Sequence, residues 1–348
     1  KRGHGLPIAQ TPAFLIQPPS EAAVDALSSV LTTVHLSAGA FLHAEFTAPW
    51  CVRSQVGPED FGSQGRPPSH LMAYHYVLDG RLLLGVGDAP LQPVEAGEII
   101  LLPRNPPHVL TSAARLPAQV VDHLVQAPDG SGLARLRYGG GGATTEVICG
   151  YIGCEVPDNP LLRTLPEILT LRIADGAWIE QSFQRAAREA ASLRPGSATA
   201  LGKLAELLFI EAVRHYLDTS SNREQGWLAG LRDPQVGKAL ALLHGQHARH
   251  WTTEALASAV GLSRSAFAER FTQLIGQPPM RYLCHWRLLL AAQQLREGRT
   301  LARIAEDIGY ASEAALNRAF RQHFGLPPAA WRRRHALAAA QSANLPLR

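Results

Sequence analysis

Between Trp251 and Arg334 the sequence writes one pattern twice, and that repeat constrains the fold more than any other feature. The first copy runs Leu256-Ala257-Ser258-Ala259-Val260-Gly261-Leu262-Ser263-Arg264-Ser265-Ala266-Phe267, followed by Phe271, Gly276, Pro278 and Pro279. The second runs Ile304-Ala305-Glu306-Asp307-Ile308-Gly309-Tyr310-Ala311-Ser312-Glu313-Ala314-Ala315-Leu316, followed by Phe320, Gly325, Pro327 and Pro328. The glycines lie 48 residues apart and the serines after them 49, so the second turn is one residue longer. Each copy predicts helix, turn, helix. Thr252 or Thr253 caps the first helix of copy one and Thr300 that of copy two, each accepting an otherwise unpaired backbone N–H; Ser263 and Ser312 cap the helices that follow. Gly261 and Gly309 stand where the chain must leave a helix in the left-handed conformation that glycine adopts cheaply. Two such units in register predict paired helix-turn-helix motifs.

Helical spacing assigns the faces. Phe267, Phe271 and Leu274 turn inward in the first recognition helix, leaving Arg264, Ser265, Ala268 and Glu269 outward. In the second, Leu316, Phe320 and Phe324 turn inward, and Glu313, Ala314, Asn317, Arg318 and Arg321 outward. A helix from Met280 to Glu297 joins the motifs. Residues 233–335 carry 14 Lys and Arg against 7 Asp and Glu, whereas the remainder is net acidic with 19 against 22. The net charge of +4 is therefore an asymmetry between parts, the footprint of a phosphate-binding module.

These residues, with Gly276-Gln277-Pro278-Pro279-Met280-Arg281-Tyr282-Leu283, Trp286-Arg287-Leu288, Ala291-Ala292, Phe324-Gly325 and Trp331-Arg332, make the region resemble the DNA-binding domain of AraC/XylS-type transcription regulators. The resemblance covers about 100 residues. It implies that both recognition helices enter successive major-groove segments on one face of double-stranded DNA, about 34 Å apart.

The N-terminal half has another texture. Short apolar runs at 41–46, 73–78, 81–86, 98–102, 119–125 and 146–152 are broken by Gly, Pro and Asp, predicting a small barrel or double-sheet jelly roll. Asp79-Gly80 between two runs reads as a hairpin turn. Within this region His75 and Asp79, then Gly97, Pro103, Asn105 and His108, resemble the paired motifs of cupins. The first motif is degraded, with Ala73 where a histidine would stand and Asp79 in place of Glu. Cupin-like barrels are the usual sensory domains of AraC-type regulators, and Ala48-Pro49-Trp50 and Cys149-Gly150-Tyr151 point to one subgroup. The resemblance implies a small-molecule effector, with His75, His108 and His70 as candidate contacts. His70 lies five residues from His75, hence on the opposite strand face, and joins only from a loop. Two rivals stand beside this reading. One is a cupin metal site built from His75, Asp79 and His108. The other is a redox switch at Cys149 or Cys154, since some relatives of the subgroup sense oxidants; five residues apart, these two cysteines also face opposite ways on a strand.

The expected organisation is α+β with two main domains. It comprises an extended lead-in (1–20) and a cupin-like sensory domain (21–175), in which residues 22–30 read as a short amphipathic helix. A helical dimerisation region (176–217), a linker (218–232), an all-α double helix-turn-helix domain (233–335) and a tail (336–348) follow. In the dimerisation region Leu201, Leu204, Leu207, Leu208, Ile210 and Val213 give an apolar face too broad for a solitary surface helix. The expected assembly is a homodimer, with RNA polymerase a further partner implied by the resemblance. Neither catalysis nor a required cofactor is expected. The start, Lys1-Arg2-Gly3-His4-Gly5-Leu6-Pro7, runs into prolines rather than an apolar signal core and lacks an initiator Met, so a few residues are expected to precede it. No run reaches the ~18 apolar residues of a membrane span, and four cysteines in so long a chain make no secreted disulfide framework. The expectation is cytoplasmic.

Overall fold

The computed structural model describes residues 26–34, 36–57, 68, 70–126, 133–154, 159–172, 178–191, 195–219 and 226–334. The predicted lead-in, the tail and the middle of the linker lie outside these residues. After a helix α1 (Ala26–Val34) the chain forms β1 (Ser37–Thr47), β2 (Cys51–Ser54), β3 (His70–Asp79), β4 (Arg81–Val86), β5 (Gln92–Glu95), β6 (Glu98–Leu102), β7 (His108–Thr111), β8 (Ala134–Gly139), β9 (Thr144–Cys154), α2 (Pro160–Thr164) and β10 (Leu169–Arg172). These strands make a six-stranded sheet, ordered β10-β6-β3-β9-β1-β8, and a four-stranded sheet, ordered β2-β7-β4-β5. β1 and β8 pair in parallel; the other pairs are antiparallel.

The larger sheet is buried on both faces along its central strands β6, β3 and β9. Ala73, Val77, Ile100, Leu102, Val147 and Cys149 face the interior shared with the smaller sheet. Met72, Tyr74, Tyr76, Ile99, Leu101 and Ile148 face the other way, into a second core. That core is closed by α3 (Trp178–Ala191) and α4 (Ser197–Thr219), with Phe183 edge-on to Tyr76 at 4.8 Å. A strand covered on both sides loses the polar alternation of a half-exposed one. β3 accordingly reads Leu71-Met72-Ala73-Tyr74-His75-Tyr76-Val77.

Two expectations fail here. Asp79-Gly80 makes no hairpin: β3 belongs to the larger sheet and β4 to the smaller, so the turn is a corner between sheets. Residues 119–125 hold only an isolated bridge at Gln119 and a 3-10 turn at Asp122–Leu124, because Val121 alone of their apolar residues is buried.

The C-terminal part is helical: α5 (Trp227–Arg232), α6 (Pro234–Gly245), α7 (Thr253–Val260), α8 (Arg264–Ile275), α9 (Pro279–Arg296), α10 (Leu301–Asp307) and α11 (Glu313–Phe324), with a last helical segment at 328–334. Trp227–Arg232, read from sequence as linker, is helical because Trp227 is buried and its Nε1–H donates to Tyr282 Oη at 2.8 Å. Asp233 caps α6, accepting from the N–H groups of Gln235 and Val236. α1 packs against α6, with Ala26 and Val30 buried, so the first helix described lies on the C-terminal unit. Among the described residues no helix is long and apolar enough to cross a membrane.

Candidate functional site

Both motifs form as their caps dictate. Thr252 accepts from the Ala255 N–H at 3.0 Å and Thr300 from that of Arg303 at 3.4 Å. Ser263 accepts from Ala266 at 3.3 Å and Ser312 from Ala315 at 3.2 Å. Gly261 and Gly309 sit at φ 76° and 78°, ending the first helix of each pair. Phe267, Phe271, Leu316 and Phe320 are wholly buried and fix the rotation of α8 and α11. Arg264, Ser265, Glu269, Glu313, Ala314, Asn317, Arg318 and Arg321 are thereby exposed, with Ala268 half-buried beside them.

Ion pairing sorts the arginines. Arg270, also on α8, donates through Nε to Asp233 at 2.8 Å and ties the recognition helix to the cap of α6. Arg299 and Arg303 both reach Asp307. Among the described residues no carboxylate pairs with Arg264, Arg318 or Arg321, so their guanidinium groups stay available to an outside partner. The Arg270–Asp233 pair was not legible in the sequence, where 37 residues separate its members.

A second cluster lies inside the β-structure. His75 on β3, His108 at the start of β7 and Cys149 on β9 meet in the interior, and all three are buried. His108 Nδ1 is 2.8 Å from the Pro106 carbonyl, which only accepts, so that nitrogen carries a proton. Burial holds both imidazoles below the usual histidine range, His75 well below it with His108 as a second cause, and both rings are neutral. His108 Nε2 is then an acceptor, and His75 Nε2–H donates to it at 2.7 Å. His75 Nδ1 in turn accepts from the Cys149 thiol at 3.1 Å. Each member of the chain has its partner, as a polar group in an apolar interior requires.

Other residues singled out in the sequence stand apart. His70 donates through Nε2 to the Pro103 carbonyl at 2.6 Å and stays outside the cluster. Asp79 is exposed at the far end of β3, opposite Glu146; four residues at about 3.3 Å each separate it from His75. The trio of His75, Asp79 and His108 is therefore not assembled, and among the described residues no group of three His, Cys, Asp or Glu side chains is arranged to hold a metal ion. Cys149 faces the interior and Cys154 the outer core, so no disulfide joins them. The closeness of Cys149 to His75 had no signal in the sequence beyond parity on neighbouring strands. A cleft of about 810 Å³ also lies between α2 and the C-terminal helices; its lining, which includes Arg163, Arg281, His285 and His323, contains no carboxylate.

Comparison with known proteins gives the same two-part picture. A family model described as Cupin matches residues 25–218, and one described as Helix-turn-helix domain matches 256–334. The HTH-type transcriptional regulator AlkR of Acinetobacter baylyi is 26% identical over 317 residues, covering 89% of this chain and 99% of that protein. The RCS-specific HTH-type transcriptional activator RclR of Escherichia coli is 27% identical over 269 residues, covering 76% and 85%. An AraC-like transcription regulator of Streptomyces lividans is 45% identical over 142 residues, 40% of this chain. The match spans 47% of that relative's own length.

The neutral histidines make acid stability a test of this cluster. Their folded pKa values lie below the unfolded value of about 6.5, so below that pH the unfolded chain takes up protons that the folded chain refuses. His244, lowered by burial to about 3, acts in the same direction. Stability is thus fully present above pH ~6.5 and is lost on acidification. The melting temperature should fall between pH 7 and 5, and His75→Gln should reduce that slope without abolishing it. A slope identical in the two proteins would show that His75 is not held neutral.

Proposed function

Because this chain belongs to the AraC-type transcription regulators, with a cupin domain ahead of a helix-turn-helix domain, we propose that it reads two adjacent major-groove segments with α8 and α11 and couples that reading to a small-molecule effector. It is a DNA-binding regulator and not an enzyme. In this reading residues 21–175 sense, 176–217 dimerise and 233–335 bind DNA. The observation that carries it is the pair of capped recognition helices, each presenting an arginine that pairs with no carboxylate among the described residues. Arginine spans guanine O6 and N7 with two parallel hydrogen bonds, and Asn317 has the donor and acceptor that adenine requires. Arg264→Ala and Arg318→Ala should each relax one sub-site by ~1–3 kcal/mol of discrimination, measured by binding to duplexes varied one base pair at a time. Equal weakening on every duplex would make both residues phosphate contacts instead.

Dimerisation is proposed through α4. One side of this helix is buried against β1 and its neighbours by Leu201, Ala205, Leu208 and Phe209. Leu207 is 41% exposed, with Leu204 and Ile210 half-buried nearby, which leaves an apolar strip for the same strip of a second copy. Sedimentation should show a dimer that Leu207→Glu dissociates; a wild-type monomer, with and without DNA, would remove the claim.

The effector is assigned to the interior around His75 and His108. Their mutual hydrogen bond is the polar contact there that an incoming ligand is able to replace, as apolar pockets with a few convergent polar groups do. A ligand bound only by the folded state raises the melting temperature by mass action. Among small organic molecules screened by thermal shift, one that stabilises the wild type should not stabilise His75→Ala. A shift that survives in this variant and in His108→Ala would put the effector elsewhere. A redox role has less support: Cys149 and Cys154 are buried, and the imidazole that Cys149 meets is neutral rather than a cation that would favour a thiolate.

A further inference from the structure

The two recognition helices act as one reader only if their separation is fixed. α9 spans ~27 Å between them, but a single helix fixes neither the tilt nor the rotation of the motif beyond it. The second motif leaves α9 through the short turn Glu297-Gly298-Arg299. Apolar packing holds it against α9, and such packing is non-directional. A second, directional attachment is required.

The structure contains one. Arg287, in the middle of α9, is half-buried and points to three backbone carbonyls. Its Nε–H donates to His247 O at 2.6 Å, its Nη2 to Arg249 O at 2.8 Å and its Nη1 to Gly309 O at 3.2 Å. His247 and Arg249 belong to the loop between α6 and α7, which leads into the first motif. Gly309 is the turn of the second motif. Among the described residues Arg287 pairs with no carboxylate, and burial lowers its pKa below the usual arginine value without threatening its charge.

The turn and the loop also touch directly. A methyl group added at Gly309 would collide with the Ala248 carbonyl, whereas one added at Gly261, the equivalent position in the first motif, meets nothing within 4 Å. The repeat is therefore asymmetric. The second glycine serves the turn and also admits the neighbouring loop.

We infer that Arg287 is a positioning residue for DNA reading: it pins the turn of the second motif to the loop that enters the first, and so sets the spacing at which two sub-sites are read together. This rests on the assignment of α8 and α11 as readers. A planar guanidinium with a fixed fork of donors reaches three carbonyls at once; a lysine ammonium on the same stem keeps the charge but loses that geometry.

The test uses the full chain and duplexes selected by it from a randomised pool. Each selected duplex is compared with versions in which one sub-site is scrambled and versions with one or two base pairs inserted or deleted between sub-sites. Arg287→Ala and Arg287→Lys should bind the intact duplex weaker by about tenfold or more. Both should bind each scrambled duplex within about twofold of wild type, since the separate reading surfaces are untouched. Their preference for the native spacing should flatten. Should Arg287→Ala fail to fold, as its melting curve would reveal, Arg287→Lys carries the test. Joint binding and spacing preference unchanged in Arg287→Lys would overturn the inference, as would an equal loss on intact and scrambled duplexes. Failure of the underlying reading looks different: Arg264→Ala and Arg318→Ala, in the otherwise wild-type chain, would then leave base preference unchanged.

Discussion

Burial of the central strands of the six-stranded sheet on both faces is the constraint from which the remaining architecture follows. Its inner face supplies the interior shared with the smaller sheet, and its outer face cannot be left to water. α3 and α4 cover it, and the core they complete does not stop at the sheet. It continues through Leu161 and Leu162 of α2 to Trp227, and from there to Val236, Leu240 and Trp286 in the C-terminal helices. One apolar body thus runs from the back of the strand that holds His75 to the motifs that face DNA. Packing alone does not transmit a signal, because coupling requires an element with two arrangements that both sites bias. What the fold provides is adjacency: His75 points into one core from β3, while Tyr74 and Tyr76, its neighbours on that strand, point into the other.

The centre of the C-terminal unit depends on a polar contact within that apolar body. Trp227 donates to Tyr282 Oη, whose hydroxyl is 2.7 Å from His244 Nε2 and donates to it, because burial keeps His244 neutral. The rings of His244 and Trp286 stack at 4.1 Å. Three helices, α5, α6 and α9, are joined by these side chains, and the orientation of α9 in turn carries Arg287. Buried polar groups of this kind are costly unless satisfied, so they specify one arrangement of their helices where apolar contacts alone tolerate several.

How much of this was legible in the sequence depends on how local each signal is. The helix-turn-helix units are coded within a dozen residues each, by a cap, a glycine and apolar side chains at helical spacing, and all of these form as read. The long strands β3 and β9 were legible as unbroken apolar runs, since both of their faces are buried. β2, β5, β7 and β10 have four residues each, too few for a period to appear. Asp79-Gly80 was misread for another reason: a dipeptide specifies that the chain turns, not which sheet receives the next strand. The meeting of His75 with His108 was legible only through the resemblance to cupin motifs. Cys149 joined them unannounced, because register between strands 74 residues apart leaves no local trace.

The same distinction governs the charged residues. Sequence presents the arginines of residues 233–335 as one basic population, and their number alone suggested a phosphate-binding surface. The structure divides them by the geometry of their partners. Arg270, Arg299 and Arg303 are paired with carboxylates: Arg270 ties α8 to the cap of α6, while Arg299 and Arg303 brace Asp307 from the turn before α10 and from within that helix. Arg287 is spent on carbonyls inside the unit. Arg264, Arg318 and Arg321 pair with no carboxylate among the described residues, and on the proposed reading their donors serve something outside the chain. A guanidinium already paired to a carboxylate must break that pair before it contacts DNA, whereas an unpaired one brings its full donor set. On the proposed reading, base recognition falls to few of the arginines, and Arg270 and Arg287 help to decide where those few are held. The basic composition of the domain measures both roles together, which is why charge alone locates a DNA-binding face without identifying its readers.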